Sequence, residues 1–230
     1  MPQLYHHPLC PHSRFIRLAL GEYGVEAELI EERVHERRRA FLLLDPAGQT
    51  PVLVEDGGLV VPGAGAIAEW LDETLGERLG DHRLLPTSPA ARVEVRRLTS
   101  WFNEKFFDEV SNWLVTEKVF KRFTATEIGG GAPDMDAVRA ARANLRYHLR
   151  YVSYLAQTRN WLAGERMTYA DLAAAAHLSS VDFLGDAPWD EEEPAKQWYQ
   201  RLKSRPSFRP LLADRAPGVM VNPLYTEVDF

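Results

Sequence analysis

Cys10, the single cysteine of the chain, occupies a position that favours a reactive thiolate. It directly precedes Pro11, and proline is tolerated in the first turn of a helix because its missing N–H costs nothing there. The residues that follow have the three- and four-residue spacing of an amphipathic helix, with Phe15 and Leu18 on one face. Free N–H groups and the helix dipole at such a start favour the thiolate form. Cys10 is therefore the candidate nucleophile.

Two interpretations of Cys10 stay open at this stage. A nucleophilic thiolate would form a mixed disulfide, which no second cysteine of this chain could resolve; a packing cysteine would do no chemistry. Ser13 either donates a hydrogen bond to the thiolate or satisfies the first helical turn. Arg14 and Arg17 are expected to reach away from the apolar face of this helix.

Composition limits the class of protein. The 230 residues are 45% hydrophobic and 26% charged, which is ordinary for a globular chain with one large or two modest domains. Apolar runs stay far below the roughly 20 residues of a membrane span, and the N-terminus lacks the pattern of a signal peptide, so we predict a cytoplasmic protein. One cysteine excludes an internal disulfide and a cysteine-rich zinc site, and no metal site is expected. The net charge of −6 argues against general nucleic-acid binding.

Hydrophobic periodicity predicts the element order β-α-β-α-β-β-α over the first third of the chain. A linker rich in glycine, proline and charge follows, and long helical patterns occupy most of the remainder. Thr168 should cap one of these helices, with Asp171 completing a capping box. The predicted organisation is an N-terminal domain over 1–78, a linker over 79–89, an all-helical domain over 90–213 and an extended tail over 214–230.

Three segments in this order resemble the cytosolic glutathione-transferase superfamily. They are Cys10-Pro11-His12-Ser13, Asp45-Pro46-Ala47-Gly48-Gln49-Thr50-Pro51-Val52-Leu53, and the segment from Trp161 to Asp171. The resemblance implies an α+β fold, with a thioredoxin-like N-terminal domain and an all-α C-terminal domain. It also implies a cis peptide bond before Pro51 and a backbone at Thr50 that binds a peptide-like ligand. A cysteine followed by proline is most similar to the thiol-using omega class.

One departure from that family's sequence pattern bears on whether the protein is catalytic or non-catalytic. Glutathione transferases usually carry glutamate or glutamine followed by serine where this chain has Gly63 and Ala64. By the resemblance, Thr50, Pro51, Gly63 and Ala64 are the glutathione-binding positions, and the last two lack the usual polar side chains. Hydrogen bonds to charged groups contribute about 1.5 to 3 kcal/mol each, so the loss of these side chains is expected to weaken the binding of glutathione. No other cofactor is expected.

Two further features suggest a protein-binding surface. Arg139, Arg142, Arg146 and Arg150 recur at three- and four-residue spacing, which indicates either a solvated face paired with carboxylates or a surface for an acidic partner. The tail from residue 217 onwards is too apolar to be simply disordered, and should dock on its own domain or on a partner.

The tail and the segment from Trp101 to Val110 resemble a division-associated branch of the same superfamily that binds the tubulin homologue FtsZ. That resemblance makes His35, Arg38, Tyr225 and Asp229 interaction residues, together with the basic stripe, and implies a homodimer.

Two hypotheses therefore stand. The first is a non-catalytic, dimeric protein with the transferase fold and a weakened glutathione site, which binds FtsZ filaments in cell division. The second is a glutathione S-transferase or thiol transferase that uses Cys10. Both share one fold, and a fold does not decide function.

Overall fold

The computed structural model describes residues 1–228, apart from the side chain of Ile128. The N-terminal part has the predicted order of strands and helices. Its elements are β1 (Gln3–His6), α1 (Pro11–Tyr23), β2 (Glu28–Glu31), α2 (Arg39–Leu44), β3 (Val52–Val54), β4 (Val60–Pro62) and α3 (Ala64–Leu75).

The four strands form one mixed sheet in the order β2-β1-β3-β4. Strand β1 runs parallel to β2 and antiparallel to β3, and Leu4 pairs with Leu29 on one side and with Leu53 on the other. Leu4 and Leu53 are fully buried in the core together with Phe15 of α1. Tyr5 points to the opposite face, because strand side chains alternate, and its ring lies 5.8 Å from the ring of Phe41 on α2. The sheet thus has helices on both faces, and the thioredoxin-like prediction is confirmed.

The C-terminal part is helical. Its helices are α4 (Pro89–Ser100), α5 (Asn112–Lys118), α6 (Met135–Thr158), α7 (Tyr169–Phe183), α8 (Glu193–Lys203) and α9 (Arg209–Leu212). A π-helical segment, Trp101–Ser111, joins α4 to α5 without a break. Short 3-10 turns lie at Val34–Glu36, Gly76–His82, Phe120–Arg122, Thr126–Ile128, Trp189–Glu191, Pro206–Phe208 and Pro223–Thr226.

The predicted capping box at the start of α7 is confirmed. The Thr168 hydroxyl accepts from the Ala170 N–H at 3.2 Å, and the Asp171 carboxylate accepts from the Thr168 N–H at 2.9 Å. Asp171 also accepts from the Trp198 indole N–H at 3.0 Å. All residues of α7 are buried, so this cap fixes the central helix of the domain.

The sequence led us to expect that Arg14 and Arg17 reach away from the core. In the structure they do not. Arg14 is fully buried and Arg17 is 8% exposed, and both guanidinium groups bind the carboxylate of Asp214, at 3.2 and 2.8 Å. A buried guanidinium requires such a partner, and here it comes from the far end of the chain. The two arginines therefore join α1 to the segment after α9.

The C-terminal tail docks on its own domain. Tyr225 is fully buried, and its ring lies 5.3 Å from that of Phe183. Its hydroxyl accepts from Arg14 at 2.8 Å and donates to the Leu211 carbonyl at 2.9 Å. Tyr225, which the sequence suggested as an interaction residue, is thus an anchor inside the fold. Asp229 lies outside the described residues.

Candidate thiol and glutathione site

Cys10 precedes α1, as predicted, and lies half-buried at the end of the loop that joins β1 to α1. Its backbone is extended and its side chain does not cap the helix. The Sγ atom donates to the carbonyl oxygen of Thr50 at 3.6 Å. The Thr50-Pro51 peptide bond is cis, as predicted from the sequence. The Thr50 carbonyl that the family resemblance assigns to a ligand therefore already faces the thiol.

Burial raises the pKa of the Cys10 thiol, but His12 and Ser13 outweigh this effect, and the pKa falls from its ordinary value of 9.0 to about 7. His12 acts through its side chain, whereas Ser13 acts through both its hydroxyl and its backbone N–H. The Ser13 hydroxyl is fully buried and also accepts from the His7 N–H at 3.3 Å. A substantial fraction of Cys10 is consequently thiolate near neutral pH.

Asn103 of the π-helical segment holds two histidine rings beside this thiol. The ring N–H at His12 Nε2 donates to the Asn103 backbone carbonyl at 2.8 Å. The side-chain oxygen of Asn103 lies 3.2 Å from Nε2 of His177, whose Nδ1 lies 2.8 Å from the Ser111 hydroxyl. The rings of His12 and His177 meet edge to face at 5.2 Å. Helices α1, α7 and the π-helical segment therefore converge on one polar chain.

Two connected pockets adjoin these residues. The larger has a volume of about 640 Å³ and extends from His12 and Thr50 to the start of α3. The smaller, about 190 Å³, contains Cys10. Its walls include Pro11, Val34, Phe107, Val115 and Phe120. Because His12, Gln49 and Thr50 line both pockets, they form the boundary between them.

The start of α3 offers backbone groups and no polar side chain at its first two positions. Gly63 precedes the helix with φ of +85°, a conformation that favours glycine, and its N–H donates to the Pro51 carbonyl at 2.9 Å. Ala64 is buried and lines the larger pocket. Farther along the same wall, the Glu69 carboxylate accepts from Arg96 at 2.9 and 3.0 Å. The charged groups of Glu69 and Arg96 are thus already bound to each other.

The basic stripe on α6 is internally paired. Each of its four guanidinium groups lies against a carboxylate: Arg139 against Asp136, Arg142 against Asp186 at 2.8 Å from Nε, Arg146 against Glu191 at 2.8 Å, and Arg150 against Glu192 at 3.8 Å. This arrangement corresponds to the first interpretation of the spacing, a solvated face whose arginines pair with carboxylates. The positive charge of the stripe is largely compensated within the chain.

His35 and Arg38 do not line the thiol pockets, but the groove beside His35 shares His7 and Phe120 with the pocket of Cys10. Arg38 is exposed and binds the carboxylate of Glu32, which is fully buried. His35 lies in the turn Val34–Glu36 and lines a groove of about 270 Å³ together with Phe123, whose side chain is 45% exposed. Arg38 therefore supports its own loop, whereas His35 borders a surface groove.

The sequence did not identify His12, Asn103 and His177 as parts of the site. A histidine in the first helical turn, two residues after the cysteine, was a usable local signal. Asn103 and His177 are 74 positions apart and come together only through the packing of two helices. No pattern within one element could have indicated that contact.

Within residues 1–228, no cluster of three or more His, Cys, Asp or Glu side chains is placed to hold a metal ion. Over the same residues, no helix has both the length and the apolar content needed to cross a bilayer.

The fold and the cis-proline thiol site define a class of protein, and comparison with known families agrees. Residues 4–78 match the glutathione S-transferase N-terminal domain, and residues 118–206 match the glutathione S-transferase C-terminal domain. The chain belongs to the glutathione S-transferase family.

Particular relatives narrow this assignment. FtsZ-localized protein A of Caulobacter vibrioides is 47% identical over an alignment that covers 99% of this chain and 97% of that protein. The solved structure of FzlA from C. crescentus superposes with a TM-score of 0.93 at 47% identity, covering 100% of this chain and 99% of the other. A crystal structure of a glutathione S-transferase from Sinorhizobium meliloti 1021 gives a TM-score of 0.97 at 52% identity and covers all of both chains.

Proposed function

We propose that this chain is a transferase-fold protein that binds FtsZ filaments and acts in cell division without conjugating glutathione. The observation that carries the proposal is the similarity to FtsZ-localized protein A, which extends over 99% of this chain. Because the similarity extends over both domains and the tail, it is not confined to a shared catalytic motif.

The start of α3 supports the non-catalytic part of this proposal. Where the family usually presents a carboxylate or amide and a hydroxyl to glutathione, Gly63 and Ala64 present only backbone. The loss of two hydrogen bonds to charged groups is worth about 3 to 6 kcal/mol, which weakens binding by roughly two to four orders of magnitude. Neighbouring Glu69 does not replace them freely, since it is bound to Arg96.

Co-sedimentation with FtsZ polymerised by GTP tests the proposed binding. The full chain should pellet with the filaments in a saturable manner and should stay in solution when GTP is omitted. His35→Glu changes the groove beside the Val34–Glu36 turn and is expected to reduce pelleting. Arg166→Glu is the matched surface control, because Arg166 is exposed, binds Asp81 and is not one of the predicted interaction residues. A chain that stays in the supernatant with intact filaments would refute FtsZ binding.

We further propose that the chain acts as a homodimer. Helices α4 and α6 are joined by Arg97, which donates to the Tyr151 hydroxyl at 3.0 Å. Beside this contact, Val93, Tyr147 and Tyr154 are 67%, 71% and 60% exposed. A second copy of the chain would remove this apolar area from water, and two linked copies would hold a filament more tightly than one.

Thiol transfer is a second candidate function, favoured by one observation. The environment of Cys10 lowers its pKa to about 7, which gives a nucleophile at neutral pH without a second cysteine. Incubation with glutathione disulfide followed by intact-mass measurement tests this candidate. The wild-type chain should gain one glutathionyl group, and Cys10→Ser should gain none.

A further inference from the structure

The three histidines around Cys10 differ in their charge state. Burial lowers the pKa of His7 to about 4 and the pKa of His177 well below its ordinary value, so both rings are neutral at pH 7. For His12, burial also lowers the pKa, but contact with Cys10 and with the Asn103 carbonyl outweighs it, and the net pKa is raised. His12 is therefore the imidazole beside Cys10 that can accept a proton.

The Asn103 carbonyl fixes which nitrogen of His12 is available. A carbonyl oxygen only accepts hydrogen bonds, so the partner 2.8 Å away, Nε2, carries the ring proton. In the neutral ring, Nδ1 then holds the free lone pair. Phe107 packs edge-on against the same ring, with centroids 4.5 Å apart, and limits its rotation.

The charged and titratable groups around this pair come from several elements. Asp108, on the π-helical segment, raises the pKa of His12 by its charge, whereas His177 on α7 is neutral. On the sheet side, Gln49 and Thr50 are uncharged pocket residues. The larger pocket, which His12 also lines, carries the charged side chains of Asp45, Glu69, Arg96 and Glu104, of which Glu69 and Arg96 bind each other.

We propose that His12, oriented by the Asn103 carbonyl, accepts the proton of Cys10, and that this pair makes Cys10 a nucleophile toward small aromatic disulfides. The inference rests on the thiol candidate above and is independent of FtsZ binding, since its assay contains no FtsZ. A nucleophile, a base and a group that orients the base form the minimal arrangement for covalent catalysis.

The substrate class follows from the pocket that contains Cys10. Its volume of about 190 Å³ is below the usual range for a drug-sized ligand, and its walls include the rings of Phe107 and Phe120. In the reaction, Cys10 Sγ attacks one sulfur of the disulfide, and a new S–S bond forms as the old one breaks. The released thiolate takes the proton held by His12. The aromatic group stays on Cys10 until another thiol displaces it.

The test follows the reaction with 4,4′-dithiodipyridine by the absorbance of the released pyridinethione, from about pH 5 to about pH 10. The wild-type rate should rise with a midpoint near 7. In His12→Asn the midpoint should move toward the ordinary value of 9.0. At pH 7 the thiolate fraction then falls about 50-fold, but the more basic thiolate is about six to ten times more nucleophilic, so the rate falls about five- to eightfold.

The two profiles should cross at about pH 8, and above that pH the variant should react faster than the wild type because its thiolate is more basic. A merely structural role for His12 would instead lower or raise the rate by the same factor at every pH, and that result would overturn the proposal. An unchanged midpoint in both His12→Asn and His12→Gln, with native circular dichroism, would also overturn it. His82→Asn, at an exposed histidine far along the chain, is the matched control and should follow the wild-type profile. Cys10→Ser should release no pyridinethione.

Discussion

Asp214→Asn is expected to destabilise the folded chain strongly. The side chain of Asp214 is 11% exposed and is shared by the guanidinium groups of Arg14 and Arg17, whose side chains are 0% and 6% exposed. Asparagine keeps the shape of the side chain but removes the negative charge that these two cations share. Removal of one partner from a buried ion pair costs about 3 to 5 kcal/mol. Because asparagine retains a hydrogen-bond acceptor, we expect about 3 kcal/mol.

For a chain of this size, that loss corresponds to a decrease in Tm of about 6 to 12 °C. Thermal and urea unfolding followed by circular dichroism would measure it. Asp136→Asn is the matched control, since its carboxylate is 87% exposed and binds the exposed Arg139, and its midpoint should not change. If Asp214→Asn unfolds at the wild-type midpoint, the interpretation of this cluster as the joint between α1 and the C-terminal segment is refuted.

Three other predictions follow from separate parts of the structure. Thr168→Ala removes the cap of α7 and should cost about 1 to 2 kcal/mol of unfolding free energy, measured by urea titration; no loss would contradict the role of the capping box. Tyr154→Lys places a charge on the proposed dimer surface and should shift the chain to monomer in sedimentation velocity, whereas an unchanged mass would exclude this face. Burial lowers the pKa of His6 and of His7 to about 4, so the unfolded chain binds more protons than the folded chain between pH 6.5 and 4. The free energy of unfolding should therefore fall as the pH drops through this window. The fall should be less steep in His6→Asn.

The local parts of this structure could be read from the sequence. The order of strands and helices and the cap at Thr168 depend on residues that are close together along the chain, whereas the cis bond before Pro51 was implied by the family resemblance. Gly63 and Ala64 could likewise be recognised as a departure from the family, because the residues on either side of them match the family's sequence pattern. Short-range spacing and turn chemistry carry this information.

The parts that sequence reasoning missed depend on contacts between distant segments. Arg14 looked like a solvent-facing residue of an amphipathic helix, yet its partners Asp214 and Tyr225 are 200 and 211 positions away. The sequence likewise left open whether the tail docks on its own domain or on a partner, and Tyr225 is buried in its own domain. The sequence also did not indicate the polar chain around Asn103. The many aromatic residues of its segment are typical of core packing, and its partner His177 is distant in the sequence.

The measurement that tests the central claim most directly is isothermal titration of reduced glutathione into the wild-type chain and into Ala64→Ser. If the binding site has lost its polar side chains, the wild type should show no saturable heat at millimolar ligand. One restored hydrogen bond to the ligand carboxylate, worth about 1.5 to 3 kcal/mol, should tighten binding by about ten- to a hundredfold in the variant. Saturable micromolar binding by the wild type, unchanged in Ala64→Ser, would contradict the account and favour a working transferase.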